Sequence, residues 1–167
     1  MKKYIILSVC VLVALTVLSF IWGSSAQTGQ SSGALSAKVQ EIINNILHTV
    51  GVRGSVSHRF VRKAAHFSEY AVFSSALGLA IVYLFRAFGA NTLKVSLLSA
   101  MIALPISVLV ALTDEFIIQA NTTGRGPRLT DVLIDLGGAL TGVLLAVAAA
   151  YIFYALRHRK NLKEEKR

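Results

Sequence analysis

The sequence predicts an all-α, polytopic membrane protein with four transmembrane helices and one short amphipathic helix at the membrane interface. Hydrophobic residues make up 54% of its 167 residues and charged residues only 15%, and the mean hydropathy is +0.64. A soluble domain has roughly 45–50% apolar and about 25% charged residues. Four apolar runs are each long enough to cross a hydrocarbon core about 30 Å thick. Backbone polar groups in lipid must bond within their own segment, so each run predicts a helix.

The four runs define the expected organisation of the chain. They cover residues 4–22, 64–85, 95–112 and 132–156. We therefore expect an N-terminal anchor (1–22), an extracytoplasmic segment (23–63), a three-helix membrane core (64–156) and a basic cytoplasmic tail (157–167). The first run is longer than the roughly 7–15 apolar residues of a secretory signal. This length favours a retained anchor over cleavage at Ser24-Ser25-Ala26.

The extracytoplasmic segment combines a polar loop with an amphipathic stripe. Residues 23–37 (GSSAQTGQSSGALSA) carry no apolar pattern and predict a loop. Apolar residues then recur with helical spacing at Val39, Ile42, Ile43, Ile46, Leu47 and Val50. This stretch is too short and too polar to span, so it predicts a helix lying on the outer membrane surface.

Basic residues indicate the orientation. With the N-terminus inside, the inner segments carry ten: Lys2, Lys3, Arg86, Lys94, Arg157, Arg159, Lys160, Lys163, Lys166 and Arg167. The outer segments carry the other seven, so both termini are expected to be cytoplasmic. Much of the net charge of +9 then lies beside anionic lipid headgroups. This placement argues against nucleic-acid binding.

The start of the second span carries ionisable groups that are costly in lipid. Arg62, His66 and Glu69 lie on one helical face, and Tyr70 is four residues after His66. Arg62 and Lys63 also fit the role of flanking residues that extend towards the interface. His66 and Glu69 lie deeper. They predict either a functional site or a structural pair that joins helices.

The third span ends in a second polar group. Asp114 and Glu115 are adjacent, so we expect them to point in different directions and to have different partners. Gln119 shares a helical face with Glu115. A solvated helix end is the alternative for the two acids. Arg125 lies between Gly124 and Gly126 and suits the binding of an anionic group, although a plain surface turn fits equally well.

The fourth span opens with Asp131 and Asp135. Asp131 also suits the positive end of a helix. Asp135 lies one turn deeper, and Gly138 and Gly142 follow on the same stripe, where small residues allow a neighbouring helix to approach closely. We expect Asp135 to face a cationic partner, which is Arg62, His66 or Arg125. The topology brings these polar groups to one level and predicts a polar pocket covered by the surface helix.

These residues resemble the VanZ-like family of bacterial membrane proteins, over roughly residues 20–145. The similarity rests on Arg62-Lys63-x-x-His66-Phe67-x-Glu69-Tyr70 and on four later groups: Asp114-Glu115 with Gln119, Gly124-Arg125, Asp131 with Asp135, and Gly137-Gly138. Ser24-Ser25-Ala26-Gln27 is a weaker similarity. The resemblance implies a multi-pass protein of the bacterial cytoplasmic membrane with a role in the cell envelope. It links the chain to resistance against teicoplanin, a lipid-tailed glycopeptide that acts on lipid-linked peptidoglycan precursors at the outer face.

Three functions remain open at this stage. The first is a non-enzymatic envelope protein that limits the access of a lipoglycopeptide to its target. The second is a membrane-embedded enzyme for a lipid-linked phosphate or diphosphate, with His66 as acid or base and Glu69 orienting it. The third is a lipid or proton-coupled transporter.

The candidate residues fall into two groups. The candidate catalytic residues are His66, Glu69, Asp114 and Glu115. The candidate substrate-binding residues are Arg62, Lys63, Tyr70, Gln119, Arg125, Asp131 and Asp135. The expected partners are membrane lipids and lipid-linked peptidoglycan precursors or the lipoglycopeptide itself. No cofactor is required, although Asp114, Glu115, Asp131 and Asp135 are oxygen ligands suited to a divalent metal ion.

Overall fold

The computed structural model describes residues 2–87 and 92–165 and contains five α-helices within them. They are α1 (Lys2–Ser25), α2 (Gly29–Thr49), α3 (His58–Ala87), α4 (Thr92–Thr113) and α5 (Leu129–Glu165). A π-helical segment, Asp114–Ile118, and a 3₁₀ turn, Gln119–Asn121, continue α4. The described residues contain no strand. The predicted all-α fold is confirmed.

Four helical stretches are long and apolar enough to cross a membrane. They are Lys3–Ser25, His58–Arg86, Lys94–Asn121 and Leu129–Leu156. Many of their large apolar side chains are exposed, as in Leu12 at 65% and Leu109 at 63%. Exposed apolar residues around long helices are the expected surface of a bundle whose solvent is lipid. The chain is a multi-pass membrane protein.

The predicted loop at 23–37 is wrong. Helix α1 continues to Ser25 and α2 already begins at Gly29. Thr28 caps α2 through its side chain, which accepts a hydrogen bond from the backbone of Ser31. The backbone N–H of Gly29 also donates to the carbonyl of Thr123 (3.1 Å). A cap and a tertiary contact thus outweigh the low helix preference of serine and glycine.

Most of the amphipathic stripe of α2 is exposed. Val39, Ile42, Ile46 and Val50 are exposed, whereas Ile43 and Leu47 are half-buried. Polar side chains of α2 bind the segment that follows the helix. Gln40 donates a hydrogen bond to the carbonyl of Val56, and the side chain of Asn44 accepts one from the backbone N–H of Val56. Gly51, with φ +83°, ends the helix region. The exposed stripe suits contact with a membrane surface.

Helix α3 is the centre of the bundle and packs most extensively against α5, then against α1 and α4. Glycines on α5 explain the close approach. A Cβ at Gly138 would overlap the carbonyl of Phe67, and one at Gly142 would overlap that of Ala71. Ser74 and Ser107 form a buried hydrogen bond of 2.7 Å between α3 and α4. Small residues and hydroxyl hydrogen bonds are the usual means of packing helices in lipid.

The predicted basic tail overlaps the end of α5, which continues to Glu165. Residues 166–167 and the side chains from Arg157 onward lie outside the described part of the chain, as do residues 88–91 between α3 and α4. The tail and this inner loop therefore stay predictions.

Candidate functional site

The polar residues singled out in the sequence meet at one end of the bundle. We call it the polar end, where α1 and the π-helical segment end and where α3 and α5 begin. Six of its polar or charged residues are buried: Ser25, Asp114, Glu115, Gln119, Asp131 and Asp135. Buried ionisable groups within membrane-spanning helices are rare and mark functional sites.

The π-helical segment brings both acids of the third span to one glutamine. A π-helix bonds residue i to i+5, and here the N–H of Gln119 donates to the carbonyl of Asp114. The Gln119 Nε2 atom lies 2.9 Å from Asp114 Oδ2 and 2.8 Å from Glu115 Oε2. The two acids therefore share Gln119 as a partner, and the expectation that their partners differ is wrong in this respect. The wider turn removes the divergence that a regular α-helix gives to adjacent residues.

Each acid also has a partner of its own. The hydroxyl of Ser25, at the end of α1, donates to Asp114 Oδ2 (2.9 Å). The backbone N–H of Arg128, just before α5, donates to Glu115 Oε1. Hydrogen bonds to carboxylates are shorter and stronger than those between neutral groups. These contacts hold the π-helical segment between α1 and the start of α5.

Arg125 closes the network from the loop side. Its Nη1 donates to Gln119 Oε1 (3.2 Å) and its Nη2 to the carbonyl of Ser24 (3.3 Å). Gly124, with φ +76°, provides the left-handed turn before it. Burial lowers the pKa of the Arg125 guanidinium, and the positive charge of Arg62 lowers it further. The nearby carboxylates act in the opposite direction, and an arginine remains charged in any case.

Helix α3 presents its charged face to α5. Arg62 forms an ion pair with Asp131 (3.3 Å), and His66 Nδ1 lies 3.6 Å from Asp135 Oδ1. Of the three candidate partners for Asp135, the structure places His66 beside it. A separation of 3.6 Å is too long for a hydrogen bond. Asp135 therefore has a basic neighbour but no direct bond to it.

Glu69 and Tyr70 lie one turn further along α3. Tyr70 is fully buried, and its hydroxyl has no hydrogen-bond partner within the described part of the chain. Glu69 Oε2 also has no hydrogen-bond partner among the described residues. Buried polar atoms without partners are exceptional in folded proteins and call for an explanation.

Cavities open at the polar end, and two of them have different linings. One, of about 190 Å³, lies between α1, α2 and α3 and is lined by Arg62, His66, Glu69 and Arg125 together with apolar and small polar residues. The other, of about 320 Å³, has a basic lining in which His58, Arg59, Lys63 and Arg128 join Arg62. Lys63 thus lies in the larger cavity, whereas Arg62 borders both. Residues of α2, including Ser32, Leu35 and Val39, form one wall of the smaller cavity.

A family model described as VanZ/LLP1 matches residues 5–154. The chain belongs to the VanZ/LLP1 family. Comparison with curated proteins and with solved structures gives no match. The resemblance noted on the His66, Asp114 and Asp135 motifs is therefore confirmed, and the match extends over all four spans of this VanZ/LLP1 protein.

The sequence motifs missed some of the residues that build the polar end of this VanZ/LLP1 protein. The Ser25 side chain and the backbone N–H of Arg128 bind the two acids directly. The weak Ser-Ser-x-Gln similarity was the one signal for Ser25, since a serine at the end of an apolar run is common. A backbone N–H leaves no signal in a sequence. Asp114 Oδ1 and both carboxylate oxygens of Asp135 have no hydrogen-bond partner among the described residues, which only the fold reveals.

Proposed function

We propose that this VanZ/LLP1 protein works in the bacterial cell envelope and lowers susceptibility to lipid-tailed glycopeptides such as teicoplanin. Its working site is a polar pocket at the extracytoplasmic membrane face, built from the polar end of the bundle. The observation that carries the proposal is the burial of Asp114, Glu115 and Asp135 beside a cavity lined by His66 and Arg125. Burying three acids in a membrane bundle costs free energy. Packing alone does not require this cost, so the burial supports a functional role.

The charges around the cavities support an anionic ligand. Arg62 and Arg125 border the smaller cavity, and the larger one is lined mainly by basic side chains. A guanidinium fork binds phosphate oxygens in pairs. The diphosphate of a lipid-linked peptidoglycan precursor has the charge that such a lining selects. Contact with the precursor would hinder a glycopeptide from reaching it.

The apolar surroundings support a ligand that stays in the membrane. The exposed stripe of α2 includes Ile42 and Ile46, which do not line the smaller cavity that the same helix walls. A helix with such a stripe lies within the headgroup region. The cavity then opens at the depth of a lipid headgroup. The excess of basic residues on the opposite side supports an extracytoplasmic position for the polar end.

The second candidate function is a membrane-embedded enzyme for a lipid-linked phosphate or diphosphate. His66 and Glu69 both line the smaller cavity, and each has a buried atom without a hydrogen-bond partner within the described residues. A histidine able to gain or lose a proton next to a bound phosphate suits general acid–base catalysis. Glu69 would orient His66 or an attacking water molecule. The same residues serve both candidates, and they differ in whether the ligand is chemically changed.

The test is a comparison of teicoplanin and vancomycin susceptibility in a glycopeptide-sensitive bacterial host. Wild type, His66→Ala and Glu115→Gln are produced at matched membrane levels, with Glu41→Gln as the control because Glu41 is exposed on α2. We expect wild type and Glu41→Gln to protect against teicoplanin more than against vancomycin, and the two site variants to lose that protection. Absence of selective protection by wild type would contradict the proposal.

A direct assay separates the two candidates. Purified protein is incubated with a polyprenyl diphosphate in detergent, and free phosphate is measured. Release that disappears in His66→Ala favours the enzyme. Retained binding of the lipid without phosphate release favours the non-enzymatic role.

A further inference from the structure

The polar end contains six buried polar atoms that have no hydrogen-bond partner within the described residues. They are His66 Nδ1, Glu69 Oε2, Tyr70 Oη, Asp114 Oδ1, Asp135 Oδ1 and Asp135 Oδ2. Burying such a group without a partner costs about 1–3 kcal/mol, and more when it is charged. All six belong to the inward side of α3, to the start of the π-helical segment or to the start of α5. Their concentration at one level indicates a shared missing partner.

Three of the residues have the geometry of a metal site. Ligand atoms of His66, Asp114 and Asp135 all lie within 4.8 Å of one another. Metal–ligand bonds of about 2.0–2.2 Å place neighbouring ligand atoms roughly 3–3.5 Å apart. His66 Nδ1 and Asp135 Oδ1, at 3.6 Å, already meet this spacing closely. Small side-chain rotations would bring all three onto one ion.

Other residues of the site hold Asp114 in an orientation suited to such an ion. Its Oδ2 atom accepts hydrogen bonds from Ser25 and Gln119 (both 2.9 Å), whereas Oδ1 has no partner in the described part of the chain. Outer-shell hydrogen bonds of this kind fix the orientation of metal ligands. The contact from Gln119 is itself fixed, because Arg125 donates to the other end of the same amide.

Charge also favours a cation at this position. Asp135 is fully buried, and neither of its oxygens has a hydrogen bond within the described residues. Neither Arg62 nor Arg125 pairs with Asp135, since Arg62 pairs with Asp131 and Arg125 donates to Gln119 and Ser24. Two buried carboxylates and a neutral imidazole would balance one divalent ion. Buried charges in proteins are paired or coordinate metals.

We infer that His66, Asp114 and Asp135 bind one divalent transition-metal ion through one nitrogen and two carboxylate oxygens. Mixed imidazole and carboxylate ligands suit Zn²⁺ or Mn²⁺ better than Ca²⁺, which prefers oxygen ligands alone. Three protein ligands leave coordination positions for water or for a phosphate oxygen. Glu69 and Tyr70 carry the remaining atoms that lack a partner among the described residues, and these atoms would be available to hydrogen-bond such a water molecule. The inference goes beyond the proposed function, because metal binding can be measured without any envelope ligand.

The experiment measures metal in purified full-length protein in detergent. The protein is stripped with EDTA, Zn²⁺ or Mn²⁺ is added back, and bound metal and melting temperature are recorded. We expect about one ion per chain and a melting temperature that rises with the concentration of the ion, because binding to the native state stabilises it. Ca²⁺ at the same concentration should produce a much smaller rise. A chain that binds less than a tenth of an equivalent of either ion, with an unchanged melting temperature, would overturn the inference.

Variants locate the ion. Asp135→Asn and His66→Gln should weaken binding at least 100-fold. Ser25→Ala, which removes only an outer-shell contact, should weaken it about tenfold. Glu41→Gln is the control, because Glu41 is exposed on α2 and has no place in the polar end; it should bind as wild type does. Equal weakening by Glu41→Gln and Asp135→Asn would show that the loss is not specific to the site and overturn the inference.

Wild type alone keeps the test decisive if the ligand variants fail to fold, because its metal content and melting temperature need no variant. The outcome is also independent of the proposed function. A protein that protects against teicoplanin but binds no metal overturns only the metal site. A protein that binds the metal but gives no protection overturns only the proposed function.

Discussion

The hydroxyl of Ser25 donates a hydrogen bond of 2.9 Å to Asp114, which joins residues 89 positions apart in the chain. It connects the last residue of α1 to the first residue of the π-helical segment. Both side chains are buried. The first span is thus part of the site and contributes more than membrane attachment.

Replacing Ser25 by Ala should lower the free energy of unfolding by about 1–2 kcal/mol, because a buried carboxylate oxygen loses one of its two donors. Reversible unfolding in mixed micelles measures this change. Ser24→Ala is the matched control, since the Ser24 hydroxyl has the carbonyl of Ile21, in its own helix, as its partner among the described residues. Its effect should stay within about 0.5 kcal/mol. Equal effects of the two variants would show that the bond to Asp114 adds no stability.

The packing of α3 on α5 predicts a strong effect at Gly142. A Cβ there would overlap the backbone of Ala71, so Gly142→Ala should cost about 1–3 kcal/mol of stability through forced separation of the helices. The same assay in mixed micelles measures it. Gly23→Ala, in α1, is the control because a Cβ at Gly23 meets no atom within 4 Å. That variant should be neutral or slightly stabilising, since alanine favours a helix. A neutral Gly142→Ala would mean that the close approach of the helices is not needed for stability.

The four spans and the glycine stripe could be predicted because they follow from the bilayer itself. Apolar length defines a span, and a small residue every fourth position on α5 marks a helix contact. The shared level of His66, Asp114 and Asp135 followed from counting residues along those spans. The partner of Asp135 did not, because three basic residues satisfied the same spacing, and their choice depends on helix rotation.

The π-helical segment and the start of α2 could not be predicted from the sequence, for a different reason. A π turn has no composition of its own, and Asp114–Ile118 reads as a continuation of α4. The start of α2 depends on Gly29 bonding to Thr123, about ninety residues later. Local preferences cannot report a contact of that range. They favoured a loop, where tertiary contacts form a helix.

The orientation of the protein can be tested by labelling. Glu41→Cys on α2 should react with a membrane-impermeant maleimide added to intact cells, whereas Lys163→Cys should react only after permeabilisation, because the basic tail is expected inside. The native Cys10 is buried and provides a low background in the wild-type control. Mass spectrometry of the purified chains measures the label. Labelling of Lys163→Cys in intact cells would show that the orientation is the reverse of the expected one, with the polar end in the cytoplasm.

Asp135→Asn should abolish teicoplanin protection, whereas Glu41→Gln should leave it intact. Asp135 is fully buried beside His66, and its replacement by an amide removes one carboxylate oxygen from the polar end. Glu41 is exposed on the surface helix. The comparison uses samples matched for folding by their elution profile and melting temperature, and minimum inhibitory concentrations measure protection. The double variant His66→Ala/Asp135→Asn should be no worse than either single variant, because residues that act as a unit are not additive. Equal loss of protection in Asp135→Asn and Glu41→Gln would show that the polar end is not the site that protects.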